Sequence, residues 1–520
     1  SNVFNALLTK IILKLCTDHP HHTLPQLFAL AHERDIGAQY DGAEQFKSNS
    51  SVRRSEQARH LVQTLKSRSQ TTKLVTSVES LLIAYIDLAK TSTETFQKSG
   101  RIKDIRFKEL PTTTAKGGRL FNECVSGLPT MPAVLTLAHD LKRNMDYSGV
   151  VTVASFSSTF SITENGISRP KIITCQGSDG KNYKQLVKGG DDMRQDAVME
   201  QVFESVNCTL RRDPETYKRR LGIRTYKIIP TTPQTGVLEW VENTVPFGSL
   251  LTDKESGLHS RYYPADWTHS ECRSRLKDAQ DNADKETRFA QIYENFHPAF
   301  RFFFVEKFAD PTQWMTARLA YTRSVAANSI VGYILGIGDR HAHNILIDTN
   351  TGEVVHIDFG IVYEQGKGLG TPETVPFRLT QDIVDGMGVI GCEGTYRRSC
   401  EEVLRVLRDN TLPVMTILEV VIHDPLYKWS LSPQQARLKQ SSAAKDFSPN
   451  PTNNPKQPQQ QSFGKDAAER TLTRIKCKLQ GFEDPTGEAL GVEGQVDYLI
   501  NEARSPTNLC KIFPGWAPWI

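Results

Sequence analysis

The chain has 520 residues with 63 Lys and Arg against 59 Asp and Glu, a formal net charge of +4, which excludes a dedicated nucleic-acid surface and leaves any link to DNA to partner proteins. Its 9 cysteines are odd in number, scattered and without a C-x-x-C pair, so a disulfide framework and a zinc site are excluded, and reduced thiols in nucleus or cytosol are expected. The length suggests roughly two to four domains; with no apolar run of about 18 residues and no signal-peptide pattern, a soluble intracellular protein without membrane contact is expected, and a first residue other than Met reads as a fragment.

Residues 1–97 read as helices. Phe4, Leu7, Leu8, Ile11, Ile12 and Leu15 recur at three and four residues, as do Leu81, Leu82, Tyr85 and Leu88, which is the spacing of amphipathic helices and suggests stacked hairpins. His19, His21 and His22 lack Cys or carboxylate partners at metal-binding spacing and are assigned to a helix junction. After a connector at 98–149 the pattern turns to short β-rich runs: Val150-Val151-Thr152-Val153, Lys171-Ile172-Ile173-Thr174 and Lys184-Gln185-Leu186-Val187, with a turn at Gly177-Ser178-Asp179-Gly180.

Lys188 ends the last of these runs, and an acidic stretch, Asp191-Asp192-Met193-Arg194-Gln195-Asp196, then opens a helix. A cation placed there suits phosphate oxygens, and Asp191 or Asp196 would hold its long side chain in position; the sequence does not choose between them. No G-x-G-x-x-G or Walker pattern occurs, so a loop covering phosphates must be another hairpin. Phe156-Ser157-Ser158-Thr159-Phe160 is assigned to it, with the hydroxyls of Ser157 and Ser158 and backbone N–H groups replacing glycine-rich geometry. Gly236 to Val241 fits a hinge in which the backbone of Glu239, Trp240 and Val241 pairs with adenine; Trp240 either packs on the base or belongs to the core.

From 241 the chain becomes mainly helical, including Trp314 to Leu335, and then reaches its densest chemistry. Asp339-Arg340-His341 precedes Asn344, and Asp358-Phe359-Gly360 follows. Protein-kinase catalytic loops read H-R-D-x-x-x-x-N, with the Asp for the acceptor hydroxyl and the Asn for magnesium; here the triplet is reversed, but the step from Asp to Asn is the same. Ile345 to Asp348 and Glu353 to Ile357, joined by Thr349-Asn350-Thr351-Gly352, read as a hairpin that returns Asp358 beside Asn344. The expected roles are Asp339 as the group that orients the acceptor hydroxyl and takes its proton, Asn344 and Asp358 as magnesium ligands, and His341 as a donor to developing charge or a structural hydrogen bond. ATP and Mg2+ are the implied cofactors, with Mn2+ as an alternative ion.

The reversed D-R-H-x-x-N with D-F-G resembles the phosphatidylinositol-3-kinase-like superfamily of lipid kinases and very large protein kinases. The resemblance implies an α+β bilobal kinase: a helical solenoid end (FAT) at 1–97, a β-rich N-lobe at 150–240 and an α-rich C-lobe at 241–435. A regulatory region at 436–487 would follow, its Pro- and Gln-rich insert 448–462 read as disordered and its helical pieces as a gate over the substrate groove. The segment Ile361 to Phe377 carries one Lys and two Glu, unlike a loop built for a phosphorylated inositol headgroup, and residues 488–520 resemble the FATC tail of the protein-kinase branch. Asp18-His19-Pro20-His21-His22, Leu319 to Ala326 and Pro372 to Thr380 resemble the branch of that family that signals DNA breaks. That likeness implies a homodimeric nuclear serine/threonine kinase acting on Ser/Thr-Gln sites, recruited to breaks and telomeres by an Mre11-Rad50-Nbs1-type complex. The competing class is a silent scaffold, which would have lost Lys188, Asp339 or Asp358; all three are present.

Overall fold

The computed structural model describes residues 2–33, 49–98, 100–110, 130–163, 169–422, 464–483 and 487–520. The chain divides into two compact units, 1–200 with 226–241 and 201–225 with 242–520. The insert at 448–462 lies outside the described residues.

The first unit opens with four helices, α1 (Asn2–Asp18), α2 (Pro20–Ala31), α3 (Asn49–Ser67) and α4 (Thr72–Lys90). Pro20 sits at the first turn of α2, where a missing N–H costs nothing. The expected α4 stripe is buried at Leu81, Leu82, Tyr85 and Leu88, whereas Phe4, Leu7, Leu8, Ile11 and Leu15 of α1 are exposed and Leu13 and Cys16 form its inner edge. The histidines do mark a junction: the His19 ring lies 2.6 Å from the Tyr147 hydroxyl, and His22 Nε2 lies 2.8 Å from the carbonyl of His139.

These helices share one core with a seven-stranded antiparallel sheet. Its strands are β1 (Ile105–Arg106), β2 (Val153–Phe156), β3 (Thr159–Ile162), β4 (Lys171–Gly177), β5 (Asn182–Gly189), β6 (Ile228–Thr232) and β7 (Thr235–Glu239), in the order β1-β3-β4-β5-β7-β6, with β2 also on β4. Polar pins fix α4 to the sheet: the Tyr85 hydroxyl donates to Gln185 Oε1 at 2.5 Å and Lys171 Nζ to the Ala89 carbonyl at 3.0 Å. Burial pushes that lysine down to about 8. Gly189, next to Lys188, lets the strand approach α4, since a Cβ there would lie 2.4 Å from the Ala89 oxygen.

The second unit is built on the buried helix Pro311–Leu335. Asp310 caps it by accepting the Gln313 N–H at 2.9 Å, and Gly336 ends it in the left-handed region at φ +61°. A three-stranded sheet adjoins it, β8 (Thr244–Pro246), β9 (Ile345–Asp348) and β10 (Val354–His356), in the order β10-β9-β8. Helix Thr395–Asp409 packs on the long helix, where the Tyr396 hydroxyl meets Ser329 Oγ at 3.0 Å. The last residues, after helix Val492–Arg504, are buried: Trp516, Ala517, Trp519 and Ile520 all lie in the core.

Candidate active site

Each unit carries one set of the expected residues. In the first, Lys188 projects from the end of β5, and its Nζ lies 2.6 Å from Asp191 Oδ2, so the structure brings Asp191 to the lysine. Asp191 also accepts the Asp192 N–H at 3.0 Å, and Asp192 in turn binds Arg194 Nε at 2.8 Å, so the acidic turn holds itself in shape. Asp196 is buried in the first turn of helix Arg194–Arg212, where a carboxylate meets the positive end of the helix dipole. Glu239 ends β7; its N–H donates to the Lys227 carbonyl at 2.8 Å and its Oε2 accepts the Lys227 N–H at 2.9 Å, while the Trp240 N–H donates to the Lys184 carbonyl at 3.2 Å. Trp240 and Val241 are half-buried, so Trp240 is not a core residue.

The expected hairpin at Phe156 to Phe160 is corrected. β2 and β3 both pair with β4, Phe156 opposite Cys175 and Ser161 opposite Ile172, so the segment is a bulge between two strands in line along β4. Ser157 N–H donates to the Thr174 carbonyl at 3.0 Å, and the Ser158 carbonyl accepts from Phe107 on the other side. Backbone engaged on both flanks is not a loop open to phosphates, although both serines are exposed. The hairpin comes one step later, between β3 and β4, closed by the Thr163 N–H on the Pro170 carbonyl at 3.0 Å. Residues 164–168 of that connection lie outside the described residues; Asn165-Gly166 is the turn signal that would have located it.

In the second unit the expected register holds. Val354 lies opposite Ile347 and His356 opposite Ile345, and the Ile357 N–H donates to the Asn344 carbonyl at 3.0 Å, which sets Asp358 beside Asn344. Asn344 Nδ2 donates to the Asp339 carbonyl at 3.0 Å, leaving Oδ1 as the end of the amide able to meet a hard cation. Asp358 is exposed. Asp339 and Asp358 both take positive φ, 55° and 59°, a strained conformation that Asp tolerates better than most residues and that concentrates at functional sites.

Three residues that the motif reading passed over hold this arrangement. Arg340, buried, donates from Nε to the Gly338 carbonyl at 2.9 Å, from Nη1 to the Ile357 carbonyl at 2.8 Å and from Nη2 to the Asp358 carbonyl, and lies over the buried Phe359 ring. Glu373 accepts the Asp339 N–H at 2.7 Å. Arg378 reaches the Arg340 carbonyl and those of Trp516, Ala517 and Ile520. Burial pushes the Arg378 guanidinium down to about 9 and raises the Glu373 carboxyl above its ordinary range.

His341 is pushed down to about 3, first by burial and then by His343 and Arg340, so its ring is neutral near pH 7. Its Nδ1 accepts the His343 N–H at 3.2 Å, which places the ring proton on Nε2 and makes that edge a donor. The segment after Asp358 is tied down by Glu364, 2.8 Å from Lys478 and 3.1 Å from Lys367. Burial works against that carboxylate, but Lys478 and Lys367 hold it down to about 2. Among the described residues no group of three His, Cys, Asp or Glu could hold a metal by itself. Asn344 and Asp358 still suit magnesium, which keeps several waters and takes one or two protein oxygens together with substrate phosphates.

Comparison with known proteins supplies the relationship. The model of the phosphatidylinositol 3- and 4-kinase family matches residues 182–431, and that of the FATC domain matches residues 489–520. The chain is 41% identical over 543 residues to the serine-protein kinase ATM of Sus scrofa, covering 99% of this chain and 17% of that protein. It is 42% identical over 527 residues to the serine/threonine-protein kinase ATM of Arabidopsis thaliana, covering 100% and 13%, and 38% identical over 527 residues to tel1 of Schizosaccharomyces pombe, covering 99% and 18%. The chain thus spans less than a fifth of the length of these relatives. The solved FAT and kinase domain of CtTel1 superposes with a TM-score of 0.84 at 35% identity, over 99% of this chain and 32% of that one. The complete CtTel1 dimer with C2 symmetry gives 0.84 and 35%, over 99% and 17%.

Proposed function

The chain belongs to the phosphatidylinositol 3- and 4-kinase family, in the branch of the ATM and Tel1 serine/threonine protein kinases, and we propose from that premise that it transfers the γ-phosphate of ATP to Ser or Thr followed by Gln. The observation that carries the reading is the second unit's set of Asp339, Asn344 and Asp358, gathered by the β9–β10 hairpin. Asp339 orients the acceptor hydroxyl and takes its proton. Asn344 and Asp358 hold magnesium, which offsets phosphate charge when bound. Lys188, held by Asp191, meets phosphate oxygens, and neutral His341 donates through Nε2 to charge that grows on the transferred group.

The backbone of Glu239, Trp240 and Val241 is assigned to adenine. Asp196 supports the phosphate-facing turn by charge. The protein acts on DNA breaks and telomeres in the nucleus, touches DNA only through partners, and works as a homodimer recruited by an Mre11-Rad50-Nbs1-type complex. The homodimer draws support from the dimeric Tel1 structures, and the nuclear role from the ATM and Tel1 relatives. The acceptor is tested by offering the protein a Ser-Gln peptide, its Ser-Ala counterpart and phosphatidylinositol vesicles. Labelled phosphate on the Ser-Gln peptide above the other two is expected; preferential labelling of lipid overturns the protein-kinase assignment.

A further inference from the structure

We propose that Glu373 and Arg378 form a two-point clamp that positions the Asp339-Arg340 dipeptide, Glu373 through its carboxylate on the Asp339 N–H and Arg378 through its guanidinium on the Arg340 carbonyl. The inference rests on Asp339 being the residue that meets the acceptor hydroxyl. It makes Glu373 and Arg378 positioning residues, acting on the reaction through the backbone of Asp339.

Three sets of contacts carry it. First, Asp339 sits at φ 55°, a conformation a non-glycine residue keeps only when its surroundings over-determine it. Its N–H meets Glu373 Oε1 at 2.7 Å, a short hydrogen bond that fixes the peptide before Asp339. Second, the space around the carboxylate is cleared for it. A Cβ on Gly338 would lie 2.4 Å from Glu373 Oε2, and one on Gly366 would lie 2.2 Å from the same oxygen. Neither glycine has a positive φ, so close approach of the Glu373 side chain accounts for both. The Glu373 N–H is itself fixed on the Gly366 carbonyl at 3.1 Å.

Third, Arg378 is buried, and Nη1 spans two segments, reaching the Arg340 carbonyl at 3.3 Å and the Trp516 carbonyl at 2.7 Å. Nη2 adds the carbonyls of Ala517 and Ile520 at 2.7 and 2.9 Å, and the guanidinium lies 4.1 Å from the Trp516 ring centroid. A planar fork with five donors can bridge four carbonyls in this way, and an ammonium cannot. The last residues of the chain therefore brace the catalytic loop through one side chain. Residues 373 and 378 lie on a single stretch, so each end of Asp339-Arg340 is held from the same strip of backbone.

The test compares Glu373→Ala, Glu373→Gln, Gly366→Ala and the double variant Glu373→Ala/Gly366→Ala with the unaltered protein. Two readouts are taken: kcat and KM for peptide and ATP, and hydrogen–deuterium exchange of residues 336–344. Glu373→Ala is expected to lower kcat by at least about tenfold with KM for ATP within about twofold, the signature of a loss felt in the transition state. Exchange at 336–344 rises while the rest of the second unit keeps its protection. Glu373→Gln retains an acceptor oxygen and keeps most of kcat. Gly366→Ala lowers kcat in the unaltered background and has little further effect once Glu373 is Ala, because the atoms nearest its new Cβ are gone. Unchanged kcat and exchange in Glu373→Ala, or full additivity in the double variant, overturns the clamp while leaving the kinase reading intact. An unaltered protein without transfer but with the exchange pattern above overturns the kinase reading alone. Arg378→Lys is the second arm, expected to lower kcat and raise exchange at 336–344; protection equal to the unaltered protein removes Arg378 from the clamp.

Discussion

At the scale of single residues, the chemistry depends on side chains whose protonation the fold has set. His341 is neutral because burial makes its charged form costly, with His343 and Arg340 adding repulsion and Asp358 opposing it. With its proton lost only near pH 3, no step in rate near the ordinary histidine range of about 6.5 belongs to His341. The expected kcat profile is flat from pH 6 to 8 with respect to this residue, and His341→Gln, which keeps a donor, should alter the size of kcat without moving any limb of the profile. A limb near 6.5 that vanishes in His341→Gln contradicts the assignment. The residues of the motif were legible because they lie within twenty positions and the hairpin between Asn344 and Asp358 follows from strand spacing alone. Glu373 and Arg378 were not, because they stand far downstream of Asp339 and their stretch, Pro372 to Thr380, marked kinship without showing what either side chain touches; only the fold puts a carboxylate on the Asp339 N–H. Between Asp191 and Asp196 the sequence was silent, and the geometry brings Asp191 to Lys188.

At the scale of elements, ends and turns matter more than helix or strand interiors. Gly336 closes the long helix at φ +61°, and a Cβ there would lie 2.4 Å from the Glu364 backbone nitrogen. Gly336→Ala is therefore expected to cost about 2 kcal/mol or more of stability, combining a left-handed alanine with displacement of backbone, and denaturant unfolding measures it. The helix Gly464–Gln480 reaches the segment after Asp358 through Lys478, which is buried, donates to the Tyr333 carbonyl at 2.7 Å and meets Glu364 at 2.8 Å. Lys478→Met keeps the stem and removes the charge, and a loss of about 2 kcal/mol with lowered kcat is expected, since the half-buried Glu364 carboxylate is left less compensated. Wild-type stability and rate in that variant contradict the role given to this helix as a brace. The strands were readable from their apolar alternation, but pairing was not. Phe156 to Phe160 has the serine-rich look of a turn between two strands, and nothing local says that both strands pair with β4 and make it a bulge. The exposed stripe on α1 is a second instance: its period gave the helix, while its lack of cover belongs to tertiary structure.

For the molecule as a whole, buried neutral histidines make acid the destabilising direction. His21 and His269 are pushed down to about 4 and His341 to about 3, and His356 lies well below its ordinary range, all chiefly by burial. The unfolded chain, with histidines near 6.5, binds more protons than the folded one between pH 6.5 and about 4, so stability rises with pH across that window and is lost as pH falls through it. Glu364, held down to about 2, adds a loss in the same direction below about 4.5. Melting temperature should fall steadily from pH 6.5 to 4; a constant value would show that these rings are charged or solvated in the folded state.

The central claim is that Asp339, Asn344 and Asp358 form a phosphoryl-transfer centre. The most direct measurement is magnesium-dependent transfer of labelled phosphate from ATP to a Ser-Gln peptide by the unaltered protein and by Asp358→Ala, with melting temperature recorded for both. Transfer by the first is expected, with loss of at least about a hundredfold in the second and a folded protein that melts only slightly lower, because Asp358 is exposed and a lost metal ligand removes charge stabilisation, while its φ of 59° suits Ala less well than Asp. A folded Asp358→Ala protein that transfers phosphate at the original rate would contradict it.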